Sequence, residues 1–250
     1  MKEKEFLELV EKSELAQHLD FFKQHMRQSY DIILLDKAAD IGESRLGGHP
    51  DLPVDTVWPV HKAYGPYCFF AQINFAQIPQ TDNPQLPKDG LLSLFYAIDI
   101  ENGEEFWQDA DYVLGIYTPA GTPLQTRKNH EVFDYFYPGK SIAIAFEESV
   151  DVPFDEYQVQ DWPFNEEEAD IYYDLVYTLH PSKSHLLGYP RYDSLAYDPT
   201  PEEGNFIPFI TLPSYNALSW CWHDGDKLIV FQNVEKLKQG DFTDLKSDAG

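Results

Sequence analysis

A short motif occurs twice in the chain, and it constrains the fold more than any other sequence feature. Residues 44–50 read SRLGGHP, and residues 184–190 read SHLLGYP. The two copies share a serine, a leucine, a glycine and a proline at the same four steps. Two similar segments also follow each copy in the same order. FFAQIN and then DGLLSLFYAI follow the first copy, and PFITLP and then DGDKLIVFQNV follow the second. This ordered similarity predicts a tandem duplication.

The duplication determines the domain organisation that we expect. We predict a first repeat over 41–100, an acidic connecting region with strands and a short helix over 101–180, and a second repeat over 181–235. Repeats of this size bury too little surface to be stable alone, so both are expected to share one core within a single domain, 1–250. A groove where two such repeats meet is a natural place for a ligand.

The local patterns predict helices at the start of the chain and strands after it. Apolar residues spaced three and four apart indicate amphipathic helices in segment 1–29. The later segments CFFAQI, LLSLFYAIDI, YVLGIYT and SIAIAF are rich in aromatic and β-favouring residues. We therefore expect an α+β fold, in which N-terminal helices precede a tandem pseudo-two-fold duplication of antiparallel β-rich units.

Acidic residues dominate the charge of the chain. There are 43 Asp and Glu against 18 Lys and Arg, which gives a net charge of −25. Such a field repels nucleic-acid phosphates and anionic lipids, so we expect neither a nucleic-acid nor a membrane partner. It favours cations and basic proteins, although many acidic proteins use their charge for solubility alone.

The sequence shows no pattern of a secretion signal or a membrane span. MKEKEFLELVEKSE interleaves charged and apolar residues, and no apolar run approaches the roughly 18–20 residues that cross a bilayer. Cys68 and Cys221 both lie among aromatic residues and are expected to be buried, reduced thiols. We therefore predict a cytoplasmic protein.

Carboxylates and aromatic residues alternate within the connecting region. Residues 141–182 contain 11 acidic residues and no Lys or Arg. Carboxylates steer a basic partner and aromatic side chains anchor it, so this segment predicts a surface that binds a basic protein. A solvent-exposed acidic surface beside a tryptophan of the core would explain the same residue pattern. The candidate partner-binding residues are Trp162, Glu166, Glu167, Glu168, Tyr172 and Tyr173.

The polar residues of the two motifs suggest a second site, in the groove between the repeats. The second copy keeps the serine, leucine, glycine and proline of the motif but has His185 in place of Arg45 and Tyr189 in place of His49. These changes indicate either a specialised function of one copy or neutral sequence change in a loop. In WCWHDGDK, one histidine and two carboxylates could bind a metal, but an Asp-Gly turn explains the same pattern, so the metal question stays open. The candidate ligand-binding residues are Arg45, Gly48, His49, Gln72, Asn74, His185, Tyr189 and His223.

The sequence contains no catalytic motif that we recognise. There is no HExxH, CxxC or GxSxG, and no nucleophile, base and orienting group stand at a recognisable spacing. We assign no catalytic residues and no cofactor, and we expect the protein not to be an enzyme. Convergence of distant residues in space is the open alternative.

Several segments in order resemble the YwqG-like family of bacterial proteins. They are SRLGGHPDLP, VWP, CFFAQINFAQIP, LPKDGLLSLFY and the ending WCWHDGDKLIVFQNVEKLKQGDF, which together span roughly 30–240. The second half departs from the family, because RYDSLAYDPTPEEGNF replaces its usual Gln- and Asp-rich text. The resemblance implies an α+β fold with an internal duplication, a cytosolic bacterial protein and no agreed activity. Because members are often found near genes for polymorphic toxins, it also implies an immunity role.

Two functional hypotheses follow from these patterns. The first is a non-enzymatic interaction protein, of the immunity or antitoxin type, that holds a basic partner such as a toxin against the acidic, aromatic-rich face. The alternative is a small-ligand or cation-binding module with a groove between the repeats. The first requires the acidic segment to be exposed, whereas the second requires the polar motif residues to converge. The oligomeric state and the strand order do not follow from the sequence.

Overall fold

A computed structural model of the chain describes residues 1–80, 86–99, 107–133, 139–180 and 183–250, so parts of the predicted connecting region lie outside the described residues. The helices are α1 (Glu3–Lys12), α2 (Leu19–His25), α3 (Glu166–Val176) and α4 (Val234–Lys238). Short 3-10 helices cover Ala16–His18, Phe75–Gln77, Glu131–Phe133, Glu156–Gln158 and Asn216–Leu218. None of the helices among these residues is long and apolar enough to cross a membrane.

The strands are spread over most of the described chain. They are β1 (Arg27–Leu34), β2 (Arg45–Gly47), β3 (Asp51–Pro53), β4 (Val60–His61), β5 (Gly65–Pro66), β6 (Cys68–Asn74), β7 (Leu91–Tyr96), β8 (Val113–Thr118), β9 (Leu124–Thr126), β10 (Ser141–Asp151), β11 (His185–Leu187), β12 (Phe206–Pro213), β13 (Lys227–Asn233) and β14 (Lys246–Ala249).

Ten of these strands form one antiparallel sheet, in the order β14-β13-β12-β11-β1-β10-β2-β6-β7-β8. The central pair, β1 and β10, runs in register from Arg27 opposite Asp151 to Leu34 opposite Ile144. The strands are arranged alike on the two sides of this pair. The motif strand β11 lies next to β1, and the motif strand β2 lies next to β10. Each motif strand pairs with the central strand that belongs to the other half of the chain. The two halves therefore interlock.

The sheet curls until its two edge strands come close together. A Cβ added at Gly115 in β8 would lie 2.8 Å from the Cβ of Phe242, which stands shortly before β14. Nearby, Ser247 Oγ donates a hydrogen bond to the carbonyl oxygen of Trp107 at 2.6 Å. The architecture is thus a large, nearly closed antiparallel sheet.

The expected α+β class is wrong, because the protein is largely β. Strands hold 32% of the described residues and helices 20%. The helical N-terminus is present as α1 and α2, but β1 begins at Arg27, within the segment predicted to be helical up to residue 29. The acidic segment supplies the one further long helix among the described residues, α3, which begins with a capping box between Asn165 and Glu168.

Two hydrophobic clusters pack against the sheet, where we expected a single shared core. The alternation of side chains along β13 separates them, since Leu228 and Val230 belong to the first cluster and Ile229 and Phe231 to the second. The first cluster draws on both halves of the chain. The second exists because α1, α2 and α3 bring their apolar faces to the sheet, where Phe22 stacks on Tyr172.

The two cysteines differ in exposure, and both are free thiols. Cys68 is buried in β6, as expected, and its Sγ lies 3.6 Å from Asn129 Nδ2. Cys221 is exposed, so the prediction of a second buried thiol is wrong. The neighbours of Cys221 explain the difference, because Trp220 and Trp222 take the buried positions on either side of it.

Both copies of the motif end their strand with two consecutive residues in the left-handed region. In the first copy Gly47 and Gly48 have φ of 67° and 76°, and in the second Leu187 and Gly188 have φ of 59° and 79°. The sequence shows a glycine at only one of the two steps in both copies, yet the backbone turn needs a positive φ at both. Leu187 therefore bears a strain that roughly amounts to 1–2 kcal/mol.

We predict that Gly188→Ala destabilises the protein more than Gly121→Ala does. Both glycines have nearly the same φ, 79° and 80°, but only at Gly188 would the new Cβ meet other atoms, 2.6 Å from Asp151 Oδ2. The difference in the free energy of unfolding, measured with urea, should be about 1–3 kcal/mol, which is typical of overpacking. Equal losses for the two variants would show that the contact with Asp151 does not constrain this turn.

Candidate functional site

The residues predicted to line one groove do not come together, and three of them, Arg45, Gln72 and His185, belong to two separate buried clusters at opposite ends of β10. Ala143, near the start of β10, pairs with Arg45 of the first cluster, and the second surrounds Asp151, eight residues further along. At about 3.3 Å per residue, the clusters lie roughly 26 Å apart, so no single groove joins them. The Asp51 cluster comprises Asp51, Arg45, Gln72 and Thr126. The Asp151 cluster comprises Asp151, Asp31, His180, His185 and Arg191.

The Asp51 cluster ties together the loops around the first motif. The fully buried carboxylate of Asp51 accepts hydrogen bonds from the guanidinium of Arg45, from Gln72 Nε2 at 3.0 Å and from Thr126 Oγ1 at 2.7 Å. Gln72 Oε1 in turn accepts from the backbone N–H of Asp51 at 2.8 Å. Arg45 and Gln72 are turned toward this carboxylate and the surrounding backbone, although Arg45 Nε has no hydrogen-bond partner. The prediction that they face a ligand groove is therefore wrong.

His49 and Asn74 also have local structural partners. Asn74 accepts from the backbone N–H of Ala76 at 3.0 Å and donates to the carbonyl oxygen of Gly42 at 2.8 Å. His49 Nδ1 accepts from the backbone N–H of Asn129 at 3.1 Å. Neither residue reaches the Asp151 cluster through these contacts.

Tyr189 and His223 complete the set of predicted groove residues. Tyr189 is buried, its hydroxyl donates to the carbonyl oxygen of His25 at 2.8 Å, and the Arg27 guanidinium lies 3.8 Å from its ring centre. His223 is exposed on a turn, 3.2 Å from Asp226. Gly48, in the turn described above, supplies a positive φ rather than a binding surface.

Asp151 is fully buried, and it gathers cationic groups around its carboxylate. Arg191 donates to Oδ1, and the backbone N–H of Tyr189 donates to Oδ2 at 2.8 Å. His180 Nε2 lies 3.4 Å from Oδ1, and His185 Nε2 lies 4.0 Å from Oδ2. Burial alone would raise the pKa of Asp151, but the charges of Arg191 and His180 outweigh it and hold the pKa well below its ordinary value.

The two histidines of this cluster have opposite pKa shifts although their rings are in contact. The rings of His180 and His185 stack with centres 4.3 Å apart and planes 12° from parallel. Burial works against a charged His180, but Asp151 and Asp31 raise its pKa above the ordinary value. Burial, followed by the charge of His180, lowers the pKa of His185 to about 3. The opposite shifts favour the charged form on His180 and the neutral form of His185.

Three members of the cluster, Asp151, His180 and His185, are close enough together to be considered as metal ligands. A metal bound by two histidines lies in the plane of each ring, about 2.0 Å from a nitrogen of each. Stacked, nearly parallel ring planes do not meet near the nitrogens, and Arg191 already holds one oxygen of Asp151. The geometry thus fits a protonated ion-pair cluster and not a metal centre.

Of the residues in this part of the molecule, the sequence predicts only His185 and Tyr189 as site residues, although it also contains a signal for Arg191. The residue after the motif proline is charged in both copies, Asp51 in the first and Arg191 in the second. In each copy that residue joins a buried Asp–Arg pair. Asp31 and His180 carry no comparable signal, because the residues that pair, Asp31 with His180 and His180 with Asp151, are distant in sequence.

The predicted partner-binding residues are only partly at the surface. Glu166 and Glu167 are exposed, and Tyr173 is half-buried. Glu168 Oε1 lies 3.0 Å from His18 Nε2, so its carboxylate already has a partner. Trp162 is half-buried and packs against Tyr172. Tyr172 itself is fully buried and its hydroxyl donates to the carbonyl oxygen of Pro153, so the prediction that Tyr172 anchors a partner is wrong.

A family model for a domain of unknown function, DUF1963, matches residues 44–247. The chain belongs to this family. The DUF1963 match begins at the first residue of the first motif and includes both clusters except for Asp31. It leaves out α1, α2 and β1, although β1 lies at the centre of the sheet. No curated protein matches the chain.

We predict that Asp151→Asn destabilises this DUF1963 protein by about 3–5 kcal/mol, the usual effect of removing one partner from a buried ion pair. The loss arises because Arg191 would remain buried without a counter-charge. The free energy of unfolding in urea at neutral pH measures it. Asp174→Asn is the matched control, since Asp174 is exposed on α3, and it should change the stability little.

We predict that His185→Gln flattens the dependence of stability on pH between about pH 6 and about pH 5. The pKa of His185 is near 3 in the folded protein, so in this range the unfolded chain binds a proton that the folded protein does not. Stability should therefore fall as the pH falls, with a slope that approaches about 1.4 kcal/mol per pH unit from this residue. The pKa of His180 is raised in the folded protein, so its titration does not add to this loss of stability as the pH falls.

Urea unfolding at the two pH values measures this slope for each variant. His223→Gln, which replaces an exposed histidine, is the control and should keep the slope of the parent protein. A slope that is the same in the parent and in His185→Gln would contradict a neutral, buried His185.

Proposed function

We propose that the protein is a non-enzymatic binding protein that holds a basic protein partner against an acidic-aromatic surface. This surface lies on α3 and the neighbouring 3-10 helix. The observation that carries the proposal is a row of exposed carboxylates without cationic partners, flanked by exposed tyrosines. The acidic-aromatic surface consists of Glu156, Tyr157, Glu166, Glu167, Asp170, Tyr173, Asp174 and Tyr177.

The helical period brings the acidic residues of α3 to one side. Glu166, Asp170 and Asp174 are spaced four apart and all are exposed, so they form a stripe along the helix. Tyr173 and Tyr177 follow the same spacing beside the stripe, and Tyr177 is 54% exposed. The opposite side of α3 is buried against the second hydrophobic cluster.

The 3-10 helix before α3 extends this surface. Tyr157 is 51% exposed and Glu156 is exposed beside it. Burial raises the pKa of Tyr173, and the charges of Asp155 and Glu156 raise it further. The acidic groups of the 3-10 helix are therefore close enough to act on an aromatic ring of α3.

The carboxylates of the stripe differ from other acids nearby in having no cationic partner. Glu168 and Asp161 pair with His18 and His25, at 3.0 and 2.9 Å. In contrast, the ion pairs that we find among the described residues include none with Glu166, Glu167, Asp170 or Asp174. The helix dipole accounts for acids in the first turn, but not for Asp170 and Asp174 further along. A basic partner would relieve the repulsion among them.

The mechanism that we propose is occlusion. The carboxylates accelerate encounter with a basic protein, and Tyr157 and Tyr177 provide apolar contact once it has docked. The resemblance to the YwqG-like bacterial family, whose members are often found near toxin genes, supports an inhibitor of the immunity or antitoxin type that acts on a toxin in the cytoplasm. No cofactor, nucleic acid or membrane takes part in this proposal.

We predict that neutralising the stripe abolishes capture of a basic protein. The variant Glu166→Gln/Glu167→Gln/Asp170→Asn/Asp174→Asn should lose a partner that the parent protein retains from a bacterial lysate at about 50 mM salt and releases at about 300 mM, because salt screens exposed charges. Quantitative mass spectrometry of the bound proteins measures the loss.

The control variant changes the same number of charges elsewhere, with Glu11→Gln/Glu14→Gln/Glu202→Gln/Glu203→Gln. All four positions are exposed, and none lies on the acidic-aromatic surface. If both variants lose the partner equally, net charge and not this surface causes the binding. If both retain it, the surface takes no part in binding.

A further inference from the structure

A small cavity of about 30 Å³ opens beside the Asp151 cluster, at the C-terminal end of α3. His180 and Arg191 extend to it from that cluster, and Lys183 and Lys227 line it as well. Four cationic or protonatable side chains thus meet at one cavity, although the chain as a whole carries a net charge of −25. This concentration of positive groups needs an explanation.

The negative groups near the cavity are already committed to partners. Asp151 holds Arg191, Asp31 holds His180, and the half-exposed Asp193 holds Lys227. Lys183 is exposed at the rim, and the ion pairs among the described residues include none with Lys183. Burial lowers the pKa of Lys227, Asp193 opposes this shift, and the charge of Lys183 adds to it. The ammonium groups of Lys183 and Lys227 therefore repel each other across the cavity.

Two residues that line this cavity each have a buried nitrogen without a hydrogen-bond acceptor. His180 and Arg191 are both 6% exposed, and neither His180 Nε2 nor Arg191 Nε makes a hydrogen bond, although His180 Nε2 keeps an ion-pair contact with Asp151. His180 Nε2 lies 3.4 Å from Asp151 Oδ1, but this contact does not have the geometry of a hydrogen bond. Buried donors in folded proteins are rarely left without an acceptor, so an acceptor atom is expected here.

We propose that this cavity binds the oxyanion group of a small ligand, a phosphate or a carboxylate. An oxyanion accepts several hydrogen bonds at once, so it would satisfy the free donors of His180 and Arg191 and the charges of Lys183 and Lys227 together. The volume holds about one or two water molecules, which limits the buried part of the ligand to its charged group.

The remainder of the ligand would be apolar where it enters. Phe154 and Tyr177 also line the cavity, and the guanidinium of Arg191 lies 5.2 Å from the centre of the Phe154 ring. A small organic acid or a phosphate ester has the required combination of a charged group and an apolar stem. This site does not depend on the proposed function, because it uses neither the carboxylates of the stripe nor a protein partner.

Titration of the isotopically labelled full-length protein with sodium phosphate and, separately, with sodium acetate tests the proposal by nuclear magnetic resonance. Sodium chloride at the same ionic strength is the reference. We expect saturable shifts of the signals of Lys183, Arg191 and Lys227 with phosphate, with acetate or with both, and the stronger of the two identifies the preferred anion. Lys183→Gln should weaken that binding about tenfold, through loss of one charge-assisted contact.

Lys62→Gln is the matched control, since Lys62 is exposed and does not line the cavity, and it should bind like the parent protein. Lys227→Gln provides a second variant at the cavity and should also weaken binding. The proposal is overturned if neither anion gives saturable shifts beyond those of chloride. Shifts that persist unchanged in both Lys183→Gln and Lys227→Gln overturn it equally, because the anion would then bind elsewhere.

Discussion

The buried carboxylate of Asp151 determines how the second half of the molecule is built. An ionised carboxylate without water is unfavourable unless it is paired and hydrogen-bonded, so the structure has to bring donors to it. Arg191, His180 and the backbone N–H of Tyr189 fulfil that requirement. The requirement also explains Gly188, because the carboxylate occupies the space that a Cβ would need. One charge thus joins the end of β10 to the second motif.

The first half also contains a buried Asp–Arg pair, but the aspartate and the arginine exchange their places relative to the motif. There the carboxylate belongs to the motif segment itself, as Asp51, and the arginine is Arg45 on the motif strand. In the second half the arginine is Arg191, at the position that corresponds to Asp51, and the carboxylate comes from β10. Because β1 and β10 also cross over to pair with the motif strand of the other half, neither half completes its part of the sheet alone.

Charge is separated in space within this acidic protein. The surface of α3 carries carboxylates without cationic partners, whereas the cavity beside the Asp151 cluster gathers Lys183, Lys227 and Arg191 around two free donors. The stripe runs along α3 from Glu166 to Asp174, whereas the cavity opens at the C-terminal end of the same helix. We propose opposite ligands for them, a basic protein for the stripe and a small oxyanion for the cavity. Titration with small anions and charge-neutralising variants of the stripe therefore test the two proposals separately.

The elements that depend only on neighbouring residues can be predicted from the sequence alone. The helical period near the N-terminus, the aromatic strand segments and the repeated motif all depend on neighbouring residues, so each could be read without the fold. The fold class could not, because it depends on how ten strands combine into one curled sheet. The exposure of Tyr172 and Cys221 was misjudged for the same reason. The Asp151 cluster depends on the tertiary structure, since Asp31 and Asp151 come from segments far from His180 and Arg191 and no local spacing connects them.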